Sequence, residues 1–343
     1  MHLLVRIDAN AAIGSGHAMR CLALAEAWRE QGGHARFAAA DLHSGVEERI
    51  AGSGFDIDRL PAAYPDPRDA DALCRTAAMI SGDGWIVADG YRFDGSYHAA
   101  VRRSGWPLLV IDDYAHLPYY DTDVLLNQNI GAERLPYAGP ARMTRLLGTR
   151  FALLRPEFTT RERQPDETRV NATRLLITMG GGDPDNVTAT VLAAVLAMLS
   201  RPSHVRVVVG PSNPHALELR RLATKALDVQ VVEDPADMPG VFDWADLAIT
   251  AAGSTCWELA YLGVPMITVV TADNQRGIAT GLAELGASIN LGWHAEVKRD
   301  AVADSVHALQ RDAPRRMRMA AAGRRLVDGG GAARVVAALT ASR

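Results

Sequence analysis

The stretch "LLVRIDANAAIGSGHAMRC", residues 3–21, decides the fold class. Its first six residues are mostly apolar strand formers, and the glycines at 14 and 16 then indicate a turn. After the turn, "AMRCLALAEAWREQGG" (18–33) has apolar residues at the three-to-four spacing of a helix until a glycine pair ends it. The pattern predicts a strand–loop–helix unit with His17 at the mouth of the helix.

Apolar strand-like runs alternate with amphipathic segments along the whole chain. This rhythm predicts βα units, and therefore an α/β protein with two parallel sheets. The predicted strands are "LLVRID", "ARFAAAD", "WIVADGY", "LLVIDDY" and "DVLLNQN" in the first half, and "RLLITMGGGD", "VRVVVGPSNP", "VQVVED", "DLAITAAGS" and "MITVVTAD" in the second.

A polar segment with two prolines, "RPEFTTRERQPDETRVNAT" (155–173), separates the two sets of strands. Such composition is typical of a linker between domains. We therefore expect a first domain at 1–155, a linker at 156–171 and a second domain at 172–343. The last helical segment could pack on either domain.

Composition narrows the class of protein. The chain has 343 residues, 48% of them hydrophobic, which suits two sizeable cores, and its formal charge of −4 removes the electrostatic reason to expect nucleic acid. The first residues lack the pattern of a signal peptide, and no apolar run approaches the roughly 18 residues of a membrane span. The sequence thus favours a soluble cytoplasmic protein that binds neither nucleic acid nor membrane, and it leaves the oligomeric state open.

Polar residues follow many of the predicted strands. Ligands of parallel α/β sheets bind beyond the carboxyl ends of the strands, so we expect these residues to line a binding cleft. Each one alone could equally be an ordinary turn or cap residue. They are Asp8, Asp89, Asp112, Asp113, Asn127, Asn129, Gly180 to Asp183, Asn213, Gly253 to Thr255, Asp273 and Asn274.

The loop around His17 is not a dinucleotide fingerprint, because Arg20 stands near where a third glycine is required. The loop does offer backbone N–H groups at the positive end of a helix, which suit a phosphate or a developing negative charge. His17 could be a cap or a core residue. The glycines on both sides of Ser15 favour a functional role, since they let a substrate approach closely.

Two further glycine loops follow strands in the second half, "TMGGGDPDN" (178–186) and "TAAGSTCWELAYLGVP" (250–265). In the latter, Gly253, Ser254 and Thr255 open a helix, so their amides and hydroxyls can hold a pyrophosphate. Glu258 lies one turn further and can accept both hydroxyls of a ribose. The alternative is a helix cap without a ligand, with Glu258 a solvated first-turn acid.

Metal and disulfide chemistry are not indicated. The Asp-x-Asp pairs are scattered as expected by chance in an acid-rich chain, so we predict no metal site and no cofactor. The cysteines Cys21, Cys74 and Cys256 are odd in number and lack paired spacing, which argues against a disulfide framework or a zinc site.

The motifs together resemble a known group of enzymes. Two Rossmann-like domains with a Gly-Ser-Thr-x-x-Glu helix in the second are similar to the GT-B architecture of nucleotide-sugar enzymes, in which the domains face each other across a cleft. The order of motifs from about residue 6 to 274 resembles the UDP-sugar hydrolases of pseudaminic acid biosynthesis. These motifs are "RIDANAAIGSGHAMR", "VADGYRFD", "IDDY", "DVLLNQN", "LLGTRFALLRPEF", "ITMGGGDPDN", "AAGSTCWE" and "VTADNQ".

The resemblance implies metal-independent hydrolysis of UDP-2,4-diacetamido-2,4,6-trideoxy-β-L-altropyranose to UDP and the free sugar. It implies that His17 is the catalytic histidine, that Tyr91 faces the sugar, and that the second domain holds UDP. The residues matched to UDP are Gly181, Gly253, Ser254, Thr255, Glu258, Asn274 and Gln275. The other expected substrate-binding residues belong to the first-half motifs and are Asp8, Gly14, Gly16, Arg20, Asn129 and Arg155.

Two other functions stay open. A GT-B glycosyltransferase would use the same UDP-sugar donor with a hydroxyl acceptor in place of water. A catalytically silent nucleotide-sugar-binding protein would have no use for His17 beside a glycine loop. UDP release without added acceptor would distinguish the hydrolase from the transferase.

Overall fold

The structure is a computed structural model that describes residues 1–10, 13–161, 170–224, 226 and 228–342. The chain forms two compact units, Met1–Pro156 with Gly329–Arg343, and Glu157–Asp328. Each unit is an α/β layered structure built on one parallel sheet. In the described part of the chain, no helix combines the length and the apolar composition needed to cross a bilayer.

The first unit contains a seven-stranded parallel sheet with the order β3-β2-β1-β4-β5-β6-β7. Two short 3-10 helices, Ala132–Arg134 and Thr149–Phe151, lie in its last loops. The elements are β1 (His2–Ile7), α1 (Gly16–Glu30), β2 (His34–Ala39), α2 (Ser44–Gly52), β3 (Asp56–Arg59), α3 (Arg68–Met79), β4 (Gly84–Asp89), α4 (Gly95–Arg102), β5 (Leu108–Ile111), β6 (Val124–Asn127) and β7 (Thr144–Leu147).

The second unit contains a six-stranded parallel sheet with the order β10-β9-β8-β11-β12-β13. Helix α5 (Pro156–Thr159) begins where the chain passes from one unit to the other. The elements that follow are β8 (Arg174–Thr178), α6 (Val187–Leu196), β9 (His204–Val209), α7 (Ala216–Ala223), β10 (Val229–Glu233), α8 (Met238–Asp243), β11 (Leu247–Ala251), α9 (Thr255–Leu262), β12 (Met266–Val270), α10 (Arg276–Glu284), β13 (Ser288–Trp293), α11 (Arg299–Gln310), α12 (Ala313–Leu326) and, back in the first unit, α13 (Gly331–Ala341). Two 3-10 helices, Asp273–Gln275 and His294–Glu296, follow β12 and β13.

Both sheets reverse their winding direction once. In the first sheet the reversal falls between β1 and β4, and in the second between β8 and β11. Loops at such a point diverge to opposite faces of the sheet and leave a crevice at the carboxyl ends of the strands, where α/β proteins bind ligands. The loops flanking the two reversals are those that begin after residues 7, 89, 178 and 251.

The side chains of a buried strand alternate between two core clusters of the first unit, one on each face of the sheet. Leu3, Val5 and Ile7 of β1 pack in the cluster that contains α1 and α13, whereas Leu4 packs in the cluster that contains α3 and α4. Successive side chains of a strand point to opposite faces, so one apolar strand supplies both layers.

The last helix, α13, lies in the first unit, where it packs against α1. Its apolar residues Val335, Val336 and Leu339 are buried in the same core as β1. This differs from the expected division, which assigned 172–343 to the second domain. The reason is the apolar stripe of α13, which only a hydrophobic surface can bury. Residues 162–169 of the expected linker lie outside the described residues.

Replacement of Gly331 by alanine is expected to destabilise the first unit by about 1–3 kcal/mol, because added atoms in a packed site force the backbone to move. A Cβ at this position would lie 2.1 Å from the carbonyl oxygen of Ala152 and 2.6 Å from its nitrogen. Neither backbone atom can turn away as a side chain could. The midpoint of denaturant unfolding, followed by circular dichroism, measures the loss.

Gly277 in α10 provides the matched control. A Cβ there would have no heavy atom within 4 Å. Gly277→Ala is therefore expected to stabilise the protein by about 0.5–1 kcal/mol through helix propensity alone. Equal shifts in the same direction for both variants would contradict the close contact between Gly331 and Ala152.

Candidate functional site

The carboxyl ends of three neighbouring strands of the first sheet surround the first turn of α1. Asp89 is the last residue of β4, Asp113 follows β5, and Asn129 follows β6. The first turn of α1 contributes His17 and Arg20, which are three residues apart and so lie on one face of the helix. All five side chains are buried or nearly so, and they form one hydrogen-bonded cluster.

His17 is paired with Asp89. Its Nδ1 lies 2.5 Å from Asp89 Oδ1, and the carboxylate is fully buried. Burial acts to raise the pKa of Asp89, but Arg20 and His17 outweigh it and hold that pKa below its usual range. An ionised carboxylate only accepts hydrogen bonds, so Nδ1 carries the proton and Nε2 carries the lone pair. The pair therefore orients the imidazole so that Nε2 is the nitrogen that can accept a proton.

Arg20 joins two carboxylates. Its Nε and Nη2 donate to the two oxygens of Asp89 at 2.7 Å each, and its Nη1 donates to Asp113 at 2.8 and 2.9 Å. A guanidinium is suited to this role because its donors are fixed in one plane. The buried carboxylate of Asp113 thereby has the Arg20 cation as its partner. The same contacts fix the positions of β4, β5 and α1 relative to one another.

Tyr91 and Asn129 complete the group around Asp113. The Tyr91 hydroxyl donates to Asp113 Oδ2, and Asn129 Nδ2 donates to Asp113 Oδ1 at 2.6 Å. Burial, followed by the Asp113 charge, raises the pKa of Tyr91, so its hydroxyl stays protonated. The Tyr91 ring packs edge-on against His17, with 4.8 Å between ring centroids. The Tyr91 ring thus lies directly beside the imidazole of His17.

The structure places Asp8 outside this cluster. Asp8 accepts the backbone N–H groups of residues 40 and 41 at 2.9 Å each, and a donor of Arg6 at 2.8 Å. Its carboxylate therefore ties the ends of β1 and β2 together. Gly14 has a φ of +79° in the loop before α1, Gly16 is the first residue of that helix, and Arg155 is buried near the end of the unit.

In the second unit, the loops after β8 and β11 flank the reversal of the sheet. The carbonyl oxygen of Gly181 accepts a hydrogen bond from Ser212 of the loop after β9, at 3.1 Å. Asp183 accepts the N–H groups of Val187 and Thr188 at 2.8 and 2.9 Å, which caps α6. Gly181 thus lies in the loop that leads from β8 to α6 and is tied to the loop after β9.

The loop after β11 opens α9. Gly253 and Ser254 precede the helix, Thr255 is its first residue, and Glu258 lies one turn further, all partly exposed. The N-terminus of a helix offers unpaired N–H groups and a positive potential, which together favour a phosphate.

The loop after β12 lies beside that glycine loop. A Cβ on Gly253 would have Gln275 Nε2 as its nearest atom, at 3.8 Å, and Gln275 Oε1 accepts the N–H of Thr271 at 2.9 Å. Asn274 is the residue before Gln275 in the same 3-10 helix. The residues predicted to hold UDP therefore lie in the segments that follow three neighbouring strands, β8, β11 and β12.

Asp89 and Asp113 stand out in the sequence as polar residues at strand ends, but no role could be assigned to either from the sequence. Their position after buried strands was the signal, but their partners in α1 are 69 to 93 residues away in the chain. Among the described residues, no group of three or more His, Cys, Asp or Glu side chains is placed to hold a metal ion.

Two Rossmann-like units with parallel sheets of seven and six strands define the GT-B fold. Residues 175–329 match the model of the glycosyltransferase family 28 C-terminal domain. The structure of Acinetobacter baumannii MurG is similar, with a TM-score of 0.69 and 18% identity over 99% of both chains. Spinosyn rhamnosyltransferase SpnG complexed with thymidine diphosphate has a TM-score of 0.64 and 16% identity, over 99% of both chains.

Curated relatives match parts of the chain. The spore coat polysaccharide biosynthesis protein SpsG of Bacillus subtilis is 29% identical over 193 residues, which are 56% of this chain and 57% of that protein. A UDP-N-acetylglucosamine–N-acetylmuramyl-(pentapeptide) pyrophosphoryl-undecaprenol N-acetylglucosamine transferase of Acidithiobacillus ferrooxidans is 33% identical over 179 residues, 50% of this chain and 48% of that one. The chain thus spans about half the length of these relatives.

Residues 175–329, almost all of them in the second unit, are thus similar to glycosyltransferase C-terminal domains. The comparisons favour a glycosyltransferase-like protein that uses nucleotide sugars, which the sequence analysis kept as its alternative, over the hydrolase that it put first.

Proposed function

We propose that the protein cleaves the bond between UDP and the anomeric carbon of a sugar, and transfers that sugar to a hydroxyl group. The observation that carries the proposal is the His17–Asp89 pair, which leaves the lone pair of Nε2 free to accept a proton. A base placed in this way contributes typically about 10²- to 10⁴-fold to the rate of a proton-transfer step.

The proposed reaction uses this geometry. Nε2 of His17 takes the proton from the attacking hydroxyl, whose oxygen forms a bond to the anomeric carbon. The bond from that carbon to the β-phosphate oxygen breaks, and UDP leaves with the electron pair. Attack opposite to the leaving group inverts the anomeric configuration. Asp89 holds the tautomer and stabilises the imidazolium formed during the step.

The second unit is the proposed binding site for UDP. The N–H groups at the start of α9 face the pyrophosphate and stabilise the charge that grows on it, which requires no cation. Glu258 accepts the ribose hydroxyls. The match of residues 175–329 to a glycosyltransferase domain and the thymidine diphosphate complex of a protein with the same fold support this assignment.

The sugar is proposed to be N-acetylated. The Acidithiobacillus ferrooxidans relative is named for its use of UDP-N-acetylglucosamine, and the first-half motifs resemble enzymes that act on a diacetamido sugar. Both similarities are consistent with a sugar that carries an acetamido group.

Hydrolysis is the second candidate, and the motif "GSGHAMR" with His17 favours it. Water would then replace the acceptor hydroxyl in the same mechanism. The substrate would be UDP-2,4-diacetamido-2,4,6-trideoxy-β-L-altropyranose, and the free sugar would feed pseudaminic acid synthesis.

Release of UDP from the purified full chain tests the proposal. The assay uses UDP-N-acetylglucosamine and the UDP-diacetamido sugar, each with and without a pool of sugar acceptors. UDP that appears only with an acceptor supports transfer, and UDP with equimolar free sugar in the absence of acceptor supports hydrolysis. Binding of the donors without any UDP release would point to a silent binding protein and overturn both.

Replacement of Glu258 by alanine is expected to weaken UDP binding roughly ten- to a hundred-fold, because a hydrogen bond to a charged group contributes about 1.5–3 kcal/mol. Isothermal titration calorimetry with UDP measures the change. Glu284, an exposed acid near the end of α10, is the matched control, and Glu284→Ala should bind UDP as the parent does. A parental dissociation constant in Glu258→Ala would place the nucleotide elsewhere.

Turnover is expected to be the same with EDTA as with added magnesium or manganese. Backbone N–H groups and the dipole of α9 supply the positive potential that a divalent ion supplies elsewhere. UDP release before and after extensive EDTA dialysis measures the effect. Activity lost in EDTA and restored by one of these ions would exclude the metal-free mechanism.

A further inference from the structure

A second histidine–aspartate pair lies beside the one described above. Asp112, fully buried at the end of β5, is the hydrogen-bonding centre of a separate cluster. Its donors are the N–H groups of Tyr114 (2.9 Å) and Ala115 (2.6 Å), the hydroxyls of Tyr120 (3.0 Å) and Tyr137 (2.7 Å), and Nδ1 of His116. The adjacent residues Asp112 and Asp113 thus belong to two different hydrogen-bonded clusters.

His116 is left with one nitrogen unused. Burial acts to raise the pKa of Asp112, but its hydrogen bonds, first that with His116, lower it overall. The ionised carboxylate fixes the proton of His116 on Nδ1, so Nε2 is an acceptor. Nε2 is buried and has no hydrogen-bond partner within the described ranges. A buried acceptor without a donor is unfavourable, and a ligand with an N–H group would supply the missing hydrogen bond.

Aromatic rings pack near the ring of His116. The ring of His116 lies 5.9 Å from that of Tyr91 and 5.7 Å from that of Tyr114. Tyr91 in turn packs against His17, so His116 is one ring away from the candidate base. Tyr114 is 42% exposed, so this side of the group can be reached from solvent.

We propose that His116 Nε2 and the rings of Tyr91 and Tyr114 form a subsite for an acetamido group of the sugar. The amide N–H of the substituent donates to Nε2, and its methyl group packs on the aromatic faces. A hydroxyl in the same place could donate a hydrogen bond but would leave the rings without an apolar partner. The subsite therefore selects acetamido sugars over hydroxyl sugars. This inference rests on the proposed function, because the sugar must reach His17.

Calorimetry on the full chain with UDP, UDP-glucose and UDP-N-acetylglucosamine tests the subsite, because the two sugars differ only by hydroxyl against acetamido at one carbon. The parent is expected to bind UDP-N-acetylglucosamine about tenfold more tightly than UDP-glucose. In His116→Phe the ratio should fall to about one while the affinity for UDP stays the same. Tyr114→Ala, at an exposed position, should lower the ratio as well.

His98 gives the matched control. It is a fully buried histidine of the same unit, stacks on Tyr120, and has both ring nitrogens without a partner in the described part of the chain. His98→Phe should keep the parental ratio, because the ring that His98 stacks on is that of Tyr120, which is not part of the proposed subsite.

The outcomes separate this inference from the proposed function. Equal binding of the two UDP-sugars by the parent, or an unchanged ratio in both His116→Phe and Tyr114→Ala, overturns the subsite while UDP binding upholds the nucleotide site. Failure of UDP itself to bind overturns the proposed function and the subsite together.

Discussion

Replacement of His17 by asparagine is expected to lower the rate of UDP release by about a hundred-fold or more, the usual contribution of a positioned base. Asparagine retains a polar side chain next to Asp89 but has no group that accepts a proton near neutral pH. The affinity for UDP should be unchanged, since UDP is proposed to bind the second unit. Steady-state kinetics, UDP calorimetry and the melting temperature, all on one preparation, measure the three quantities.

A purely structural histidine predicts the reverse pattern. If His17 only caps or packs, its loss would cost roughly 1 kcal/mol of stability and spare the turnover of the folded fraction. His204, an exposed histidine of the second unit, is the control, and His204→Asn should have parental kinetics. A stable His17→Asn variant with full activity would refute the assignment of the base.

The role of Asp89 can be separated from that of His17. In Asp89→Asn the amide can donate to Nδ1, which moves the ring proton to Nε2 and removes the base without removing the ring. We expect turnover to fall about as far as in His17→Asn, and the double variant to lose little more, because residues that act as one unit are not additive. Independent, multiplicative losses would show that the two side chains do not act together.

The fold could be predicted from the sequence where strands are buried on both faces. Nine of the ten predicted runs correspond to the interior strands of the two sheets, and the tenth corresponds to the edge strand β10. The strands not predicted from the sequence are β3, β7 and β13, and all three lie at sheet edges. An edge strand is partly solvated, so its sequence need not be apolar; β3 reads "DIDR" and has no buried residue.

The site was predictable in position but not in pairing. The rule that ligands bind where a parallel sheet reverses its winding applies to both sheets, and the predicted loops at His17 and Gly253 flank these points. Which carboxylate accompanies His17 depends on strand order, because β4 pairs with β1 although five elements, α1 to α3, separate the two strands along the chain. For the same reason the sequence could not distinguish Asp89, which contacts the histidine, from Asp8, which holds two backbone amides.

Replacement of Arg20 by methionine is expected to destabilise the first unit by about 3–5 kcal/mol, because it leaves buried carboxylates without their cation. Methionine has a similar length and keeps much of the packing. Without Arg20, burial would raise the pKa of Asp89, so its charge would oppose folding at neutral pH. Denaturant unfolding at pH 7 measures the loss.

The pH dependence and a surface arginine make this prediction specific. In the parent, Asp89 has a lowered pKa and contributes stability above its unfolded value near 3.8, which is lost as the pH falls. In Arg20→Met, protonation of Asp89 relieves the buried charge, so the deficit in stability relative to the parent should shrink between pH 7 and pH 4.

Arg103 pairs with Asp71 at 2.9 Å, with side chains 63% and 50% exposed. Arg103→Met should therefore cost no more than about 1 kcal/mol at either pH. A loss for Arg20→Met that is as small as that of Arg103→Met, or that grows on acidification, would show that Arg20 does not neutralise the buried carboxylates.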